Sequence, residues 1–320
     1  MPATEAARAR LAEIPNLTVS TGVPLAGHTR FGIGGPADLY AETGDPEAFV
    51  AALAVARSSG RPVMVIGGGA NLIVSDSGFR GIVLRYHGDR LTASGNRVVA
   101  EAGAVLQNLV DFAAGRGLRG LETLAGIPGS AGAAVYGNAG AYGHSISERI
   151  AGVRFHDGCQ IREFDNAACR FQYRDSVFKR HKDWIVLSAE FLLDPADAEE
   201  LRQSAAEILK VRNAKFPATM KCAGSVFKNL LVKDLPAAVV AQIPEGVARE
   251  GKVPAAWFLD RVGAKDVVRG DIHVASYHAN LIYNAGAGTA ADLCALIREL
   301  KARVSARFGI ELEEEVQYVG

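Results

Sequence analysis

Two glycine-rich segments carry the residues best suited to hold a large anionic cofactor by main chain alone. Gly67-Gly68-Gly69-Ala70-Asn71 follows the apolar run RPVMVIG and leads back into LIVSD. A strand that runs into consecutive glycines exposes several N–H groups in a row, which is what a pyrophosphate requires where no side-chain charge is offered. A simple chain reversal would use the same residues, and this segment alone does not choose between the two. The second segment, Gly126-Ile127-Pro128-Gly129-Ser130-Ala131-Gly132-Ala133, continues into Asn138-Ala139-Gly140-Ala141. A core segment would use larger side chains to bury area, so small residues throughout suggest a floor under a large, flat ligand. Together the two segments favour a dinucleotide bound through backbone.

Two other glycine patterns are decoys. Gly32 to Ala37 fits G-x-G-x-x-A, but no strand precedes it and Pro36 removes an amide where a Rossmann turn needs donors. Gly246 to Lys252 fits G-x-x-x-x-G-K, yet Val253 stands where a magnesium-binding hydroxyl belongs, which argues against ATP hydrolysis. Cys159, Cys169, Cys222 and Cys294 form no C-x-x-C pair, and the seven histidines include no H-E-x-x-H. We therefore expect no metal, and a reduced, cytoplasmic setting.

The elements that must position these residues are mixed α and β. Asp45-Pro46 opens a helix by the cap-then-proline rule and Gly60 closes it. RPVMVIG and GIVLRY read as strands, Ser94-Gly95-Asn96 as a hairpin turn, and VLQNLVDFAAGRG as a helix. The glycine-alanine segment shows little helical periodicity. Strands over GVRFHDG and WIVLSAEFLL precede a helix across DPADAEELRQSAAEILKVR, after which NAKFPATMKCAGS is turn-rich. The strand-like SVFKN, the helix PAAWFLDRVG, the strand NLIYN and the long helix TAADLCALIRELKARVSARFG follow.

With 35 Lys+Arg against 35 Asp+Glu in 320 residues, the chain has no net charge with which to attract a polyanion, so nucleic acid is not an expected partner. No stretch approaches ~18 uninterrupted apolar residues, and the N-terminus lacks the apolar core of a signal peptide, so no membrane association is expected either. Glycine, at 35 of 320, is well above the ~7% of ordinary proteins.

Six ordered stretches then give the chain a resemblance. They are HTRFGIGGPADLY (28 to 40), VIGGGANLIVSD (65 to 76), GLETLAGIPGSAGAAVYGNAGAYG (120 to 143), YRDSVF (173 to 178), AGSVFKN (223 to 229) and FGIELEEEV (308 to 316). The chain resembles the UDP-N-acetylenolpyruvoylglucosamine reductase family of bacterial cell-wall (peptidoglycan) synthesis, in the branch without an extra tyrosine-bearing loop. The resemblance implies noncovalent FAD, NADPH as hydride donor, and an enolpyruvyl sugar nucleotide as small-molecule acceptor, with no protein partner. It implies an α+β fold, with an FAD-binding module of the PCMH, vanillyl-alcohol-oxidase-like type and a smaller α+β substrate-binding domain. We expect the flavin module at 1–214, with a core near 31–195, completed by 306–320, and the substrate domain at 215–305.

Carried over motif by motif, the resemblance makes Arg174, Ser225 and Glu315 catalytic. Reduction of an enol ether conjugated to a carboxylate takes a hydride from flavin N5 at one alkene carbon and a proton at its neighbour, with enolate charge developing on the carboxylate oxygens. Arg174 would meet that charge with a planar fork of donors. Ser225 would donate the proton, and Glu315 would orient and polarise the intermediate. Lys215 and Asn229 match positions that bind the substrate. Taken singly these residues look ordinary: Arg174 as an ion-pair partner of Asp175, Ser225 as a turn hydroxyl, Glu315 as a solvated strand edge. The chain departs from many members at Gly32, where they have Arg, at Leu230 and Glu314, where they have Pro. Two other readings share these features, an FAD-dependent alcohol oxidase or dehydrogenase and a non-catalytic flavin-binding sensor.

Overall fold

In the computed structural model, which describes residues 2–320, the chain forms two compact units, each assembled from several segments. The first comprises the chain up to Val23, Ala37–Gly69 and Phe79–Pro217; the second comprises Pro24–Pro36, Ala70–Gly78 and Ala218–Gly320.

In the first unit a four-stranded sheet runs in the order Thr18–Pro24, Pro36–Thr43, Phe79–Tyr86, Val63–Ile66, the last two pairings parallel. Helix Pro46–Ser58 makes the crossover between parallel strands. As expected, the Asp45 side chain caps it, accepting from Glu47 N–H at 2.8 Å and Ala48 N–H at 3.1 Å. Its apolar face, Phe49, Ala52, Leu53 and Ala56, is buried against Leu39, Ala41, Ile82 and Leu84. A second, antiparallel sheet has the order Ile161–Asp165, Ile150–His156, Ile185–Leu192, Arg97–Glu101, Leu91–Ser94, with the expected hairpin turning at Gly95, φ +58.

The glycine-alanine segment, read from sequence as non-helical, contains the short helix Ala131–Tyr136. Ser130 starts it by accepting from Ala133 N–H at 3.4 Å, a local cap that outweighs the weak periodicity. Helix Ala198–Lys215, capped by Asp197, closes the unit.

The second unit packs helix Ala290–Phe308 on the antiparallel sheet Val268–Arg269, Ile272–Ala275, His278–Asn284. Leu293, Leu296, Ile297, Leu300 and Val304 form the helix's buried stripe. Thr289 caps its N-terminus and Gly309, φ +66, ends it in the left-handed conformation. SVFKN is not a regular strand: Ser225 bridges Leu281 and Phe227 bridges Glu314 singly.

The sequence reading returns 306–320 to the module of 1–214; Gln317–Val319 pairs in parallel with Leu72–Val74, and both segments group by their contacts with the second unit. The chain changes unit directly after Gly69, at the end of the triple glycine. Among the described residues no helix is long and apolar enough to cross a membrane.

Candidate cofactor cradle and catalytic residues

The structure brings the two glycine segments together. A Cβ on Gly67 would lie 2.8 Å from the Ser130 Oγ, and one on Gly68 would lie 3.2 Å from the Gly129 Cα. Gly69 takes φ +61 and Gly129 φ +115, conformations that L side chains rarely adopt. Gly132 is as constrained, since its Cβ would meet the Ala102 Cβ at 2.6 Å. Among the described residues, none accepts a hydrogen bond from the N–H groups of Gly67, Gly68, Gly69, Ala70 or Asn71, nor from those of Gly129 and Ser130. Close-packed loops with their amides unengaged form an anion-binding concavity, and the residues present fit the diphosphate of FAD.

The rest of the floor is tied down. Gly126, φ +73, donates to the Gln107 Oε1 at 2.7 Å and lies under the stem of Arg212, whose Cδ is 3.0 Å from a Cβ placed on Gly126. Ile127 N–H donates to the Leu124 carbonyl at 3.0 Å, fixing the turn that carries Pro128. Asn138, buried and at φ +45, donates from Nδ2 to the Gln172 carbonyl at 2.8 Å. Gly140–Ala141 pairs with His144–Ser145 in a two-residue ladder.

Arg174 joins this floor. Its Nη2 donates to the Gly140 carbonyl at 2.7 Å and its Nη1 to the Asn138 carbonyl at 3.4 Å. Its own backbone sits at φ +54, and its carbonyl accepts from the Lys179 Nζ at 3.0 Å. The ion pair that a lone Arg beside Asp175 suggests is made instead by Arg180, 2.7 Å from Asp175. Lys215 closes helix Ala198–Lys215 in the same unit rather than opening the second. Desolvation, and then the neighbouring Arg212 guanidinium, lower its pKa from the ordinary lysine value, a shift that an anionic ligand would oppose.

In the second unit Ser225 and Glu315 are brought onto adjoining main chain. Glu315 N–H donates to the Val226 carbonyl at 2.7 Å, and Lys228 N–H donates to the Glu313 carbonyl at 2.9 Å. On the other side, buried Asn280 grips Phe227 with both ends of its amide, accepting from the N–H at 2.9 Å and donating to the carbonyl at 2.8 Å. A buried amide so used is costly to lose, because it would strand two main-chain groups at about 1–3 kcal/mol each. Apart from its two chain neighbours, no atom lies within 4 Å of the place a Cβ would take on Gly224, φ +81.

Asn71 has a further role. Its Nδ2 donates to the Glu315 carbonyl at 2.8 Å and its own carbonyl accepts from Gln317 N–H at 3.0 Å. The loop expected to bind cofactor thus also holds the strand of Glu315. Asn229 accepts at Oδ1 from Ala255 N–H at 3.3 Å, so its oxygen starts helix Ala255–Arg261. Sequence reasoning missed Asn280, although an amide inside the apolar run HANLIYN was a signal. It missed Arg212 as well, which had none.

The first decoy has a packing explanation. A Cβ on Gly35 would lie 2.1 Å from the Asp76 carbonyl, so that glycine admits a neighbouring main chain rather than a phosphate. At Gly32 the room beside the residue is taken by the Lys221 stem, whose Cδ would be 3.1 Å from a Cβ there.

Comparison with known proteins finds two family models along the chain. Residues 216–319 match the UDP-N-acetylenolpyruvoylglucosamine reductase C-terminal domain, and residues 37–159 match an FAD binding domain. The chain is 67% identical over 311 residues to a UDP-N-acetylenolpyruvoylglucosamine reductase of Solibacter usitatus, covering 97% of this chain and 100% of that one. It is 37% identical to that of Geotalea uraniireducens, covering 99% of each. The crystal structure of the Thermus caldophilus enzyme superimposes with a TM-score of 0.74 at 29% identity, over 95% of this chain and 100% of that one.

Proposed function

The chain belongs to the UDP-N-acetylenolpyruvoylglucosamine reductase family, and from that premise we propose that Arg174, Ser225 and Glu315 are the groups with which it works. The activity is the NADPH-dependent, FAD-dependent reduction of UDP-N-acetylglucosamine enolpyruvate to UDP-N-acetylmuramate, a step in making peptidoglycan precursors. FAD, when bound, supplies hydride from N5 to one alkene carbon after accepting it from NADPH.

The protein's part is to hold, orient and protonate. The unengaged amides of the Gly67–Asn71 loop and of Gly129 and Ser130 would take the cofactor diphosphate. Arg174 meets the negative charge that develops on the substrate carboxylate, a task typically worth several kcal/mol. Ser225 gives its hydroxyl proton to the carbon next to the one that receives hydride, and its oxygen recovers a proton from water. Serine is a weak acid, so the transfer succeeds only because an enolate is strongly basic and the hydroxyl is held near the carbon. Glu315 orients the intermediate beside Ser225, and Lys215 and Asn229 bind the substrate's diphosphate.

One observation carries most of this reading: Asn71, at the end of the glycine loop, clasps the carbonyl of Glu315, whose N–H is bonded one residue from Ser225. Asn71 and the strand of Glu315 are thereby tied together within the second unit. The cradle is tested by Gly68→Val, which would drive a side chain against the Gly129 backbone. We expect the variant to fold, to purify colourless, and to bind FAD on the order of 100-fold more weakly by fluorescence titration, as the loss of a few main-chain hydrogen bonds implies. Full retention of FAD would remove these loops from the cofactor site.

A further inference from the structure

Residue 314 is the one residue of its segment that bridges Phe227, with a main-chain bond on either side of it. Glu313 accepts from Lys228 N–H at 2.9 Å and Glu315 donates to the Val226 carbonyl at 2.7 Å. Among the described residues, none accepts from the N–H of Glu314 between them. Glu314 is thus the non-hydrogen-bonded member of its antiparallel pair, and its N–H takes no part in the ladder. A proline would cost no ladder bond there and would fix φ by its ring.

This chain has a carboxylate instead, and the carboxylate is anchored. Glu314 Oε1 lies 2.9 Å from the Lys301 Nζ, with both side chains mostly buried, at 19% and 30% exposure. Lys301 follows Leu300 on helix Ala290–Phe308, whose apolar stripe is fully buried, so the anchor is rigid. The Tyr318 phenol stands beside the same carboxylate; partial burial and then its hydrogen bond to Glu314 hold its pKa above the ordinary tyrosine value. Successive side chains of an extended strand point to opposite faces. A clamp on Glu314 thus grips the strand from behind and leaves the face of Glu315 clear. Glu313 and Lys228 pair separately, one residue away.

We propose that the Lys301–Glu314 ion pair is a positioning device that holds Glu315 at its working place, doing with a side chain what a proline ring would do at the same residue. The proposal rests on the reading that Glu315 acts on the substrate.

The test separates the two flavin half-reactions in Glu314→Ala, Lys301→Met, the double variant, Glu314→Pro and Glu314→Pro/Lys301→Met, with Glu315→Gln as control. Misplacement of a working group by about 1 Å can cost on the order of 100-fold, so a smaller shift should cost less. Glu314→Ala and Lys301→Met should each slow anaerobic reoxidation by the enolpyruvyl sugar nucleotide about tenfold, with bleaching by NADPH unchanged. Their double variant should be no slower than either, since they break one device. Glu314→Pro should recover to within about threefold of wild type, and in that background Lys301→Met should have no further effect. Additive losses, wild-type reoxidation in Glu314→Ala, or an undiminished Lys301→Met effect in the proline background would each overturn the clamp. Failures at the two levels are distinguishable. If Glu315→Gln reoxidises at the wild-type rate, the role of Glu315 falls; if it is slow while Lys301→Met is normal, only the clamp falls.

Discussion

Ser225→Ala is expected to leave bleaching of the flavin by NADPH within about twofold of wild type while slowing reoxidation by the enolpyruvyl sugar nucleotide about 10³-fold, the usual range for a lost proton donor. The asymmetry is the informative part. Transfer of hydride from NADPH to the cofactor needs no proton from the protein, whereas the substrate's enolate must be protonated before product can leave. The substitution itself should be mild structurally. Ser225 is half-buried, and its neighbours Val226 and Phe227 keep their bonds to Asn280 and Glu315 whatever side chain stands at 225. A uniform slowing of both half-reactions would instead describe a disturbed cofactor site and would take the proton from another group.

The second large effect is at Arg174, where lysine should not substitute. A lysine keeps the charge but has one nitrogen, and Arg174 already spends Nη1 and Nη2 on the carbonyls of Asn138 and Gly140. We expect Arg174→Lys to lower the rate of reoxidation by about 10²-fold, comparable with removal of one preorganised charge stabiliser. Flavin content should stay near one per chain, because the cradle amides lie in other segments, at 67–71 and 129–130. Should the variant lose its flavin yet turn over normally when FAD is added back, Arg174 would be a brace for the floor and not a partner of the substrate.

The parts of the fold that local chemistry writes were legible in the sequence. Asp45 caps the helix it precedes, and Gly95 turns its hairpin. The two glycine segments were also legible as a pair, since a run of residues without side chains across two distant stretches has few purposes other than close approach of backbone. What local pattern could not show was the partner of each segment. Leu72–Val74 reads as an ordinary apolar strand, and nothing in it points to Gln317–Val319 at the other end of the chain.

The same limit applies to the site. Arg174, Ser225 and Glu315 each look ordinary alone, and only their motifs singled them out. Asn71 was expected to serve the cofactor, and its side-chain amide also reaches the Glu315 carbonyl. Glu314 looked like a lost proline, yet the structure supplies Lys301 on a helix to restrain it. Each of these depends on a contact across more of the sequence than periodicity can sense.

The most direct test of the whole account is a two-step anaerobic spectrum of the purified protein. The protein should be yellow with FAD, lose its flavin absorbance on adding NADPH, and regain it on adding UDP-N-acetylglucosamine enolpyruvate, with UDP-N-acetylmuramate formed in equal amount. Absorbance that recovers only when oxygen is admitted, with the sugar nucleotide unchanged, would contradict it.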